Sequence, residues 1–164
     1  MPVASRRRGR SASNGRHELL DETNERILAE LHGDPRVSMS ELARRLSMSA
    51  PAITERVQRL ERAGVIEGFR MLVDPAALGL PVTAFVRIKP GPGQLPKIEQ
   101  EARDNPQVSE CYRITGDDCF LAKVHVPSIE LLDEVLDRFL LFGQTTTSIV
   151  VSEPVAARAL PVVS

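Results

Sequence analysis

Residues 41–68 read ELARRLSMSAPAITERVQRLERAGVIEG. Leu42, Ala43 and Leu46 form one apolar stripe at helical spacing, with Glu41, Arg44 and Arg45 turned away from it. Ser38 stands three residues before Glu41, the spacing of a capping box, and starts this helix. Ser47-Met48-Ser49 breaks it. Ser49 can cap the next helix, and Pro51 falls in the first turn, where a missing N–H costs little. Ile53, Val57 and Leu60 then recur at i, i+4 and i+7 and face the first helix, and Gly64 ends the run. Two short helices joined by a tight turn are the layout of a helix-turn-helix, which presents its second helix to the major groove of DNA. An earlier segment, Leu20 to Leu31, places Ile27, Leu28 and Leu31 on one side and supplies a third helix.

The residues off the apolar stripe are those free to meet DNA. Ser49 and Ala50 open the second helix, and Ala52, Thr54, Glu55 and Gln58 are the expected base-edge contacts. Glu55 can accept from a cytosine amine and Gln58 can pair with adenine. Arg44, Arg45, Arg56 and Arg59 are expected to hold phosphates. The plainer alternative is a solvated helical hairpin with a basic outer face.

Composition sets the bounds. The chain has 164 residues, 42% hydrophobic and 4% aromatic with no tryptophan, so aliphatic side chains must fill its cores. This length holds one ordinary domain or two small ones. No run approaches the roughly eighteen apolar residues of a membrane span. The basic N-terminus has no apolar stretch behind it, so it does not read as a secretory signal. Two cysteines are too few for a disulfide framework, and a cytoplasmic location is expected. The net charge of −1 argues by itself against a nucleic-acid partner, but it is unevenly spread. Residues 1–72 carry thirteen arginines, no lysine and ten acids, a balance of +3, whereas the remainder stands at −4. A basic module joined to an acidic one fits this asymmetry.

Five segments follow. Residues 1–17, rich in Arg, Ser and Gly, are expected to be a disordered basic arm. Residues 18–64 form the helix-turn-helix domain. Residues 65–80 are a hinge strand and linker, with Val65 to Val73 extended and Asp74-Pro75 starting a short helical turn that ends at Gly79. Residues 81–152 read strand, helix, strand, strand, helix, strand, the split βαβ or ferredoxin-like order. Val82, Ala84, Val86 and Ile88 alternate with Thr83, Phe85, Arg87 and Lys89. Leu95, Ile98 and Ala102 mark the inner face of one helix; Ile129, Leu132, Val135, Leu136 and Phe139 make the other. Strands Val108 to Thr115 and Phe120 to Val126 flank a Gly116-Asp117-Asp118 turn, which sets Thr115 opposite Cys119 and Cys111 near Lys123. With helices on one sheet face, the other is expected to stay partly apolar and to pack against a second copy. Residues 153–164 are a small, apolar, proline-bearing tail. The fold class expected is α+β: a winged or plain helix-turn-helix domain followed by a ferredoxin-like βαββαβ effector and oligomerisation domain.

The string ELARRLSMSAPAITERVQRLERAGVIEGF resembles the N-terminal signature of the Lrp/AsnC family of transcriptional regulators. LLDETNERILAEL is similar to that family's opening helix, and VDPAALGLPVTAFVRI to its domain junction. NPQVSECYRITGDDCFLAKVHV and FGQTTTSIV resemble its effector-binding domain. The match runs from about Leu19 to Val151. It departs at Ser47, where the family usually has glycine, at Cys119, where many members have aspartate, and at Gln144, which replaces the common valine. The resemblance implies a hinge strand that pairs across a dimer, dimers gathered into larger rings such as octamers, and an amino-acid effector bound at a glycine-centred loop between dimers.

The residues agree with such an effector. Gly116 lets backbone amides approach a small ligand, Asp117 or Asp118 can accept from an α-ammonium group, and Thr115, Thr145, Thr147 and Ser148 can donate to an α-carboxylate. An ordinary hairpin turn and an ordinary strand are the alternatives. The sequence holds no nucleophile–base pair, glycine-rich phosphate loop or metal-ligand spacing, and Cys111, Cys119, His17, His32 and His125 read as structural or surface residues. The expected function is therefore non-enzymatic, without cofactor or metal: a sequence-specific regulator on double-stranded DNA whose assembly or operator choice responds to a metabolite. The alternatives are an architectural DNA-binding protein without effector and a ferredoxin-like metabolite sensor or enzyme.

Overall fold

A computed structural model of the chain describes residues 19–158 and residue 160. The expected basic arm and the end of the C-terminal tail lie outside the described residues. The chain divides into two compact units, one built on residues up to Met71 and one spanning Leu72–Ala156.

The first unit carries three helices: α1 Glu22–Gly33, α2 Met39–Arg45 and α3 Ala50–Arg62. Each starts where a side-chain oxygen satisfies an orphan backbone donor. Asp21 accepts from the Asn24 N–H at 2.7 Å, Ser38 from Glu41 at 3.2 Å and Ser49 from Ala52 at 3.3 Å. The capping box at Ser38 forms only in this half. The Glu41 carboxylate goes to Arg44 and Arg45 instead, because a charge-assisted bond to guanidinium is the stronger one. Ile27, Leu31, Val37, Leu42, Ala43, Leu46, Ile53, Val57 and Leu60 close a single core, and Leu28 packs only at its margin.

α2 and α3 end in the same way. In each, the residue after the cap is left-handed, and two N–H groups fold back onto the last carbonyls. After α3 this residue is Gly64, with φ 68°, and Val65 and Gly64 donate to Leu60 and Glu61. After α2 it is Ser47, with φ 55°, the one described non-glycine residue with positive φ, and Met48 and Ser47 donate to Ala43 and Arg44. A side chain in this region carries a steric cost that glycine lacks. Ser47→Gly should therefore stabilise the first unit by roughly 0.5–1 kcal/mol. The measurement is its thermal midpoint, which must rise; a fall would show that the serine makes a compensating contact.

Val65 and Ile66, expected to begin the hinge strand, pack on the helical core instead. Residues 67–74 form neither helix nor strand. An extended segment becomes a strand only through a ladder partner, and among the described residues no strand forms a ladder with it. Asp74 accepts from the Ala76 N–H and opens a single helical turn, Ala76–Leu78, closed by Gly79 at φ 77°.

The second unit runs β1 Val82–Pro90, α4 Leu95–Asp104, β2 Val108–Arg113, β3 Phe120–Val126, α5 Ile129–Leu140 and β4 Gly143–Ile149. Its antiparallel sheet has the order β2-β3-β1-β4. Ala84, Val86 and Ile88 of β1, with Phe120, Ala122, Val124 and Val126 of β3, face Ile98 of α4 and Leu132, Val135 and Phe139 of α5. Ile129, the first residue of α5, is 56% exposed. The β2–β3 register differs by one from expectation. Arg113 pairs with Phe120 and Ile114 donates to Cys119, so the connection is the four residues Thr115–Asp118. Cys111 therefore stands opposite Ala122, not Lys123, and a bulge follows at Ser109. The open face is mixed. Phe85, Leu121 and Tyr112 lie among Arg87, Lys123, His125, Thr146 and Ser148.

Candidate nucleic-acid interface and ligand loop

α3 is held by Ile53, Val57 and Leu60, which are at most 5% exposed, and this fixes which of its residues point outward. Glu55, Gln58, Arg59 and Arg62 form an exposed row, with Ser49 exposed at the N-terminus. Ala52 is half-buried beside this row, in a shallow cleft that it shares with Asp21, Asn24, Glu55, Arg56 and Arg59. Two expected contacts are engaged within the domain. Ala50 packs against the core, and the Thr54 hydroxyl donates to the Ala50 carbonyl at 2.8 Å, within its own helix.

The arginines separate into engaged and available groups. Arg45 reaches Glu30 at 3.0 Å, Glu41 at 3.1 Å and Asp34 at 3.5 Å, tying α2 to α1. Arg56 donates to both Asp21 oxygens, at 2.8 and 3.1 Å, and to Asn24 Oδ1 at 3.0 Å. These two were expected on phosphates; the structure engages both within the domain, because carboxylates from distant sequence positions come within reach once α1 packs. Arg44 also pairs with Glu41, yet its side chain stays 76% exposed. Arg59 and Arg62 have no ion-pair partner among the described residues. Arg62 was absent from the expected contacts, although its place one turn beyond Gln58 and Arg59 on the same helix marks it.

The paired carboxylates titrate low. Arg56, then the Asn24 N–H, holds Asp21 below the usual carboxylate range. Arg44 and then Arg45 hold Glu41 down to about 2, against an ordinary value of 4.5. A carboxylate depressed in the folded state stabilises it fully above its unfolded pKa, and that contribution is lost as the pH falls towards the folded value. The first unit should therefore lose stability as the pH drops from about 4.5 towards 2. Glu41→Gln should flatten this acid limb when thermal midpoints are followed against pH; an unaltered limb would assign the effect to other carboxylates.

In the second unit the Thr115–Asp118 loop projects beyond the β2–β3 ladder. Gly116 has φ 112°, and Thr115, Gly116 and Asp117 are exposed. Asp118 is half-buried and faces Arg87 of β1 at 3.8 Å. Strand alternation divides the run in β4. Thr145 and Thr147 stand opposite Ile88 and Val86, on the helix side of the sheet. Thr146 and Ser148 stand opposite Arg87 and Phe85, on the open side. Ser148 thus shares a face with the Arg87–Asp118 pair, whereas Thr145 and Thr147 do not. Arg87 and Thr146 complete that surface and were not among the expected ligand residues. The signal was present in the sequence, since both fall in the polar half of a two-residue alternation.

A three-helix unit with an exposed second-helix row, followed by a ferredoxin-like unit with a glycine-centred loop, defines a DNA-binding transcriptional regulator with a metabolite-responsive domain. Comparison with known proteins agrees in both halves. Residues 20–67 match a winged helix-turn-helix DNA-binding model, and residues 83–160 match the Lrp/AsnC ligand-binding domain. The chain belongs to the Lrp/AsnC family of transcriptional regulators. It is 34% identical to the regulator LrpC of Bacillus subtilis, over 82% of this chain and 93% of that one. It is 33% identical to the leucine-responsive regulatory protein of Klebsiella pneumoniae, over 82% and 86%. The solved structure of B. subtilis LrpC superposes with a TM-score of 0.78 at 33% identity, over 84% of this chain and 99% of that one. A transcriptional regulator of Neisseria meningitidis, solved as an L-Met complex, shares the fold with a TM-score of 0.78 at 24% identity, over 87% and 96%. Among the described residues no helix is long and apolar enough to cross a membrane.

Proposed function

We propose that the protein acts as a homodimer, further assembled into a larger ring, that reads paired DNA half-sites with α3 and changes assembly or operator choice on binding an α-amino acid. The observation that carries the DNA reading is the outward row Glu55, Gln58, Arg59 and Arg62 on a helix anchored by three buried aliphatic residues. Two such helices related by a two-fold axis meet successive major grooves, about 34 Å apart or a multiple of it. Gln58 and Glu55 read base edges; Arg44, Arg59 and Arg62 hold phosphates. The exposed segment Phe69 to Val73 and the open sheet face supply apolar surface for a second copy, Met71 being 83% and Leu72 72% exposed.

The effector reading rests on opposite charges side by side. Arg87 suits an α-carboxylate, Asp118 an α-ammonium group, and the Thr146 and Ser148 hydroxyls share that face. The named leucine response of a relative supports the same ligand class. A ligand of this kind shifts assembly only by binding one state better than another.

Fluorescence anisotropy on operator and random duplexes across a salt series tests the DNA reading. Arg59→Gln should weaken binding to every duplex and lower the slope of log K against log salt by about one. Gln58→Ala should change the ranking of duplexes and leave the slope alone. Equal losses on all duplexes from both variants would overturn the assignment. Sedimentation with each common amino acid tests the effector; no change with any of them would favour the architectural reading.

A further inference from the structure

The engagement of Arg56 is unlike that of the other arginines on α3. Its Nη1 is within 3.1 Å of three acceptors, both Asp21 oxygens and Asn24 Oδ1. Asn24 is only 4% exposed, and its Nδ2 donates to the Leu19 carbonyl at 2.7 Å, which pins the amide and aims its oxygen at Arg56. Asp21 is itself fixed, because it caps α1 through the Asn24 N–H. The cluster lies beside Ala52, Glu55 and Arg59, within the cleft on the flank of the DNA-facing row. Were Arg56 to swing out to a phosphate, the buried Asn24 oxygen would lose its donor and Asp21 would be left as a bare negative charge next to DNA. Both consequences oppose release.

Resting on the reading that α3 meets DNA, we propose that Arg56 is a positioning residue, withheld from the phosphates by Asp21 and Asn24, and that Asp21 thereby sets the ratio of specific to non-specific binding. The pair ties the first half of α3 to the start of α1 and fixes how Glu55 and Arg59 are presented. It also removes from the non-specific surface one positive charge that would attract any duplex equally. Asp21 titrates below the ordinary range for the same reason, so the pairing persists at neutral pH.

The test measures binding of the full-length protein to operator and random duplexes at several salt concentrations. Asp21→Ser keeps a good helix cap and removes the carboxylate that holds Arg56. With Arg56 freed, random-duplex binding should tighten, and the salt slope should steepen by about one. That corresponds to a roughly three- to fourfold greater loss of affinity between about 50 and 200 mM salt. Arg56→Gln should keep the wild-type slope while lowering operator affinity, as loss of positioning requires. In the Arg56→Gln background, Asp21→Ser should leave the slope unchanged. Arg59→Gln serves as the control for the underlying reading. If it leaves the slope unchanged, α3 is not on the phosphates and that reading fails. If it lowers the slope while Asp21→Ser has no effect, or has the same effect with and without Arg56, the withholding role is overturned. A lowered slope in Arg56→Gln would make Arg56 an ordinary phosphate contact.

Discussion

Leu60→Ala is expected to unfold the DNA-binding half of the protein and abolish operator binding, while the second unit keeps its own thermal transition. Leu60 is fully buried, and its carbonyl accepts from both Val65 and Ile66 where the chain leaves α3. Truncating a buried leucine costs about 2–5 kcal/mol, through lost transfer energy and the cavity left behind. A three-helix unit of this size has a net stability of only a few kcal/mol, by the rule of roughly 0.05–0.15 kcal/mol per residue. The second unit draws on a separate set of core residues, so calorimetry should resolve one lost transition and one retained. Leu60→Met, which nearly conserves volume, should cost less than about 1.5 kcal/mol and keep binding. If Leu60→Ala bound DNA normally at 25 °C, α3 would not depend on this anchor.

Gly143→Ala is expected to damage the second unit as severely. A Cβ at this position would lie 2.2 Å from the Lys89 carbonyl oxygen and 2.9 Å from Pro90 Cα. The requirement is one of space. Both obstructing atoms are backbone, so no side chain can move aside, and β4 must separate from the end of β1 where Gly143 pairs with Pro90. The neighbouring Gly91 N–H to Phe142 carbonyl bond, at 2.9 Å, would be strained with it. Overpacking of this kind costs about 3 kcal/mol. For a unit of this size that lowers the thermal midpoint by roughly 12–24 °C. A drop of less than about 5 °C would show that the strands part without loss. Since Thr146 and Ser148 follow Gly143 within β4, any effector response should be lost before DNA binding is.

Most of the architecture was legible in the sequence. Ser38 and Ser49 capped the helices expected of them, and the stripes Leu42–Ala43–Leu46 and Ile53–Val57–Leu60 became the first core. The alternation in β1 correctly placed Ala84, Val86 and Ile88 inside and Phe85 outside. These signals are local, and local geometry follows from spacing. The β2–β3 register was misjudged because a three-residue turn and a four-residue loop differ by one position, and nothing between Thr115 and Cys119 distinguishes them.

The order of residues alone determined which segments are helices and strands, which of their sides are apolar, and that a helix-turn-helix precedes a ferredoxin-like sheet. Only tertiary structure decided which charges remain available. Arg56 and Asp21 stand 35 positions apart and become partners because α1 and α3 share one core. Arg87 meets Asp118, and Thr146 parts from Thr145 and Thr147, because ladder register assigns each residue a sheet face. Spacing along a chain specifies periodicity. It does not specify which distant charge a folded surface brings within 3 Å.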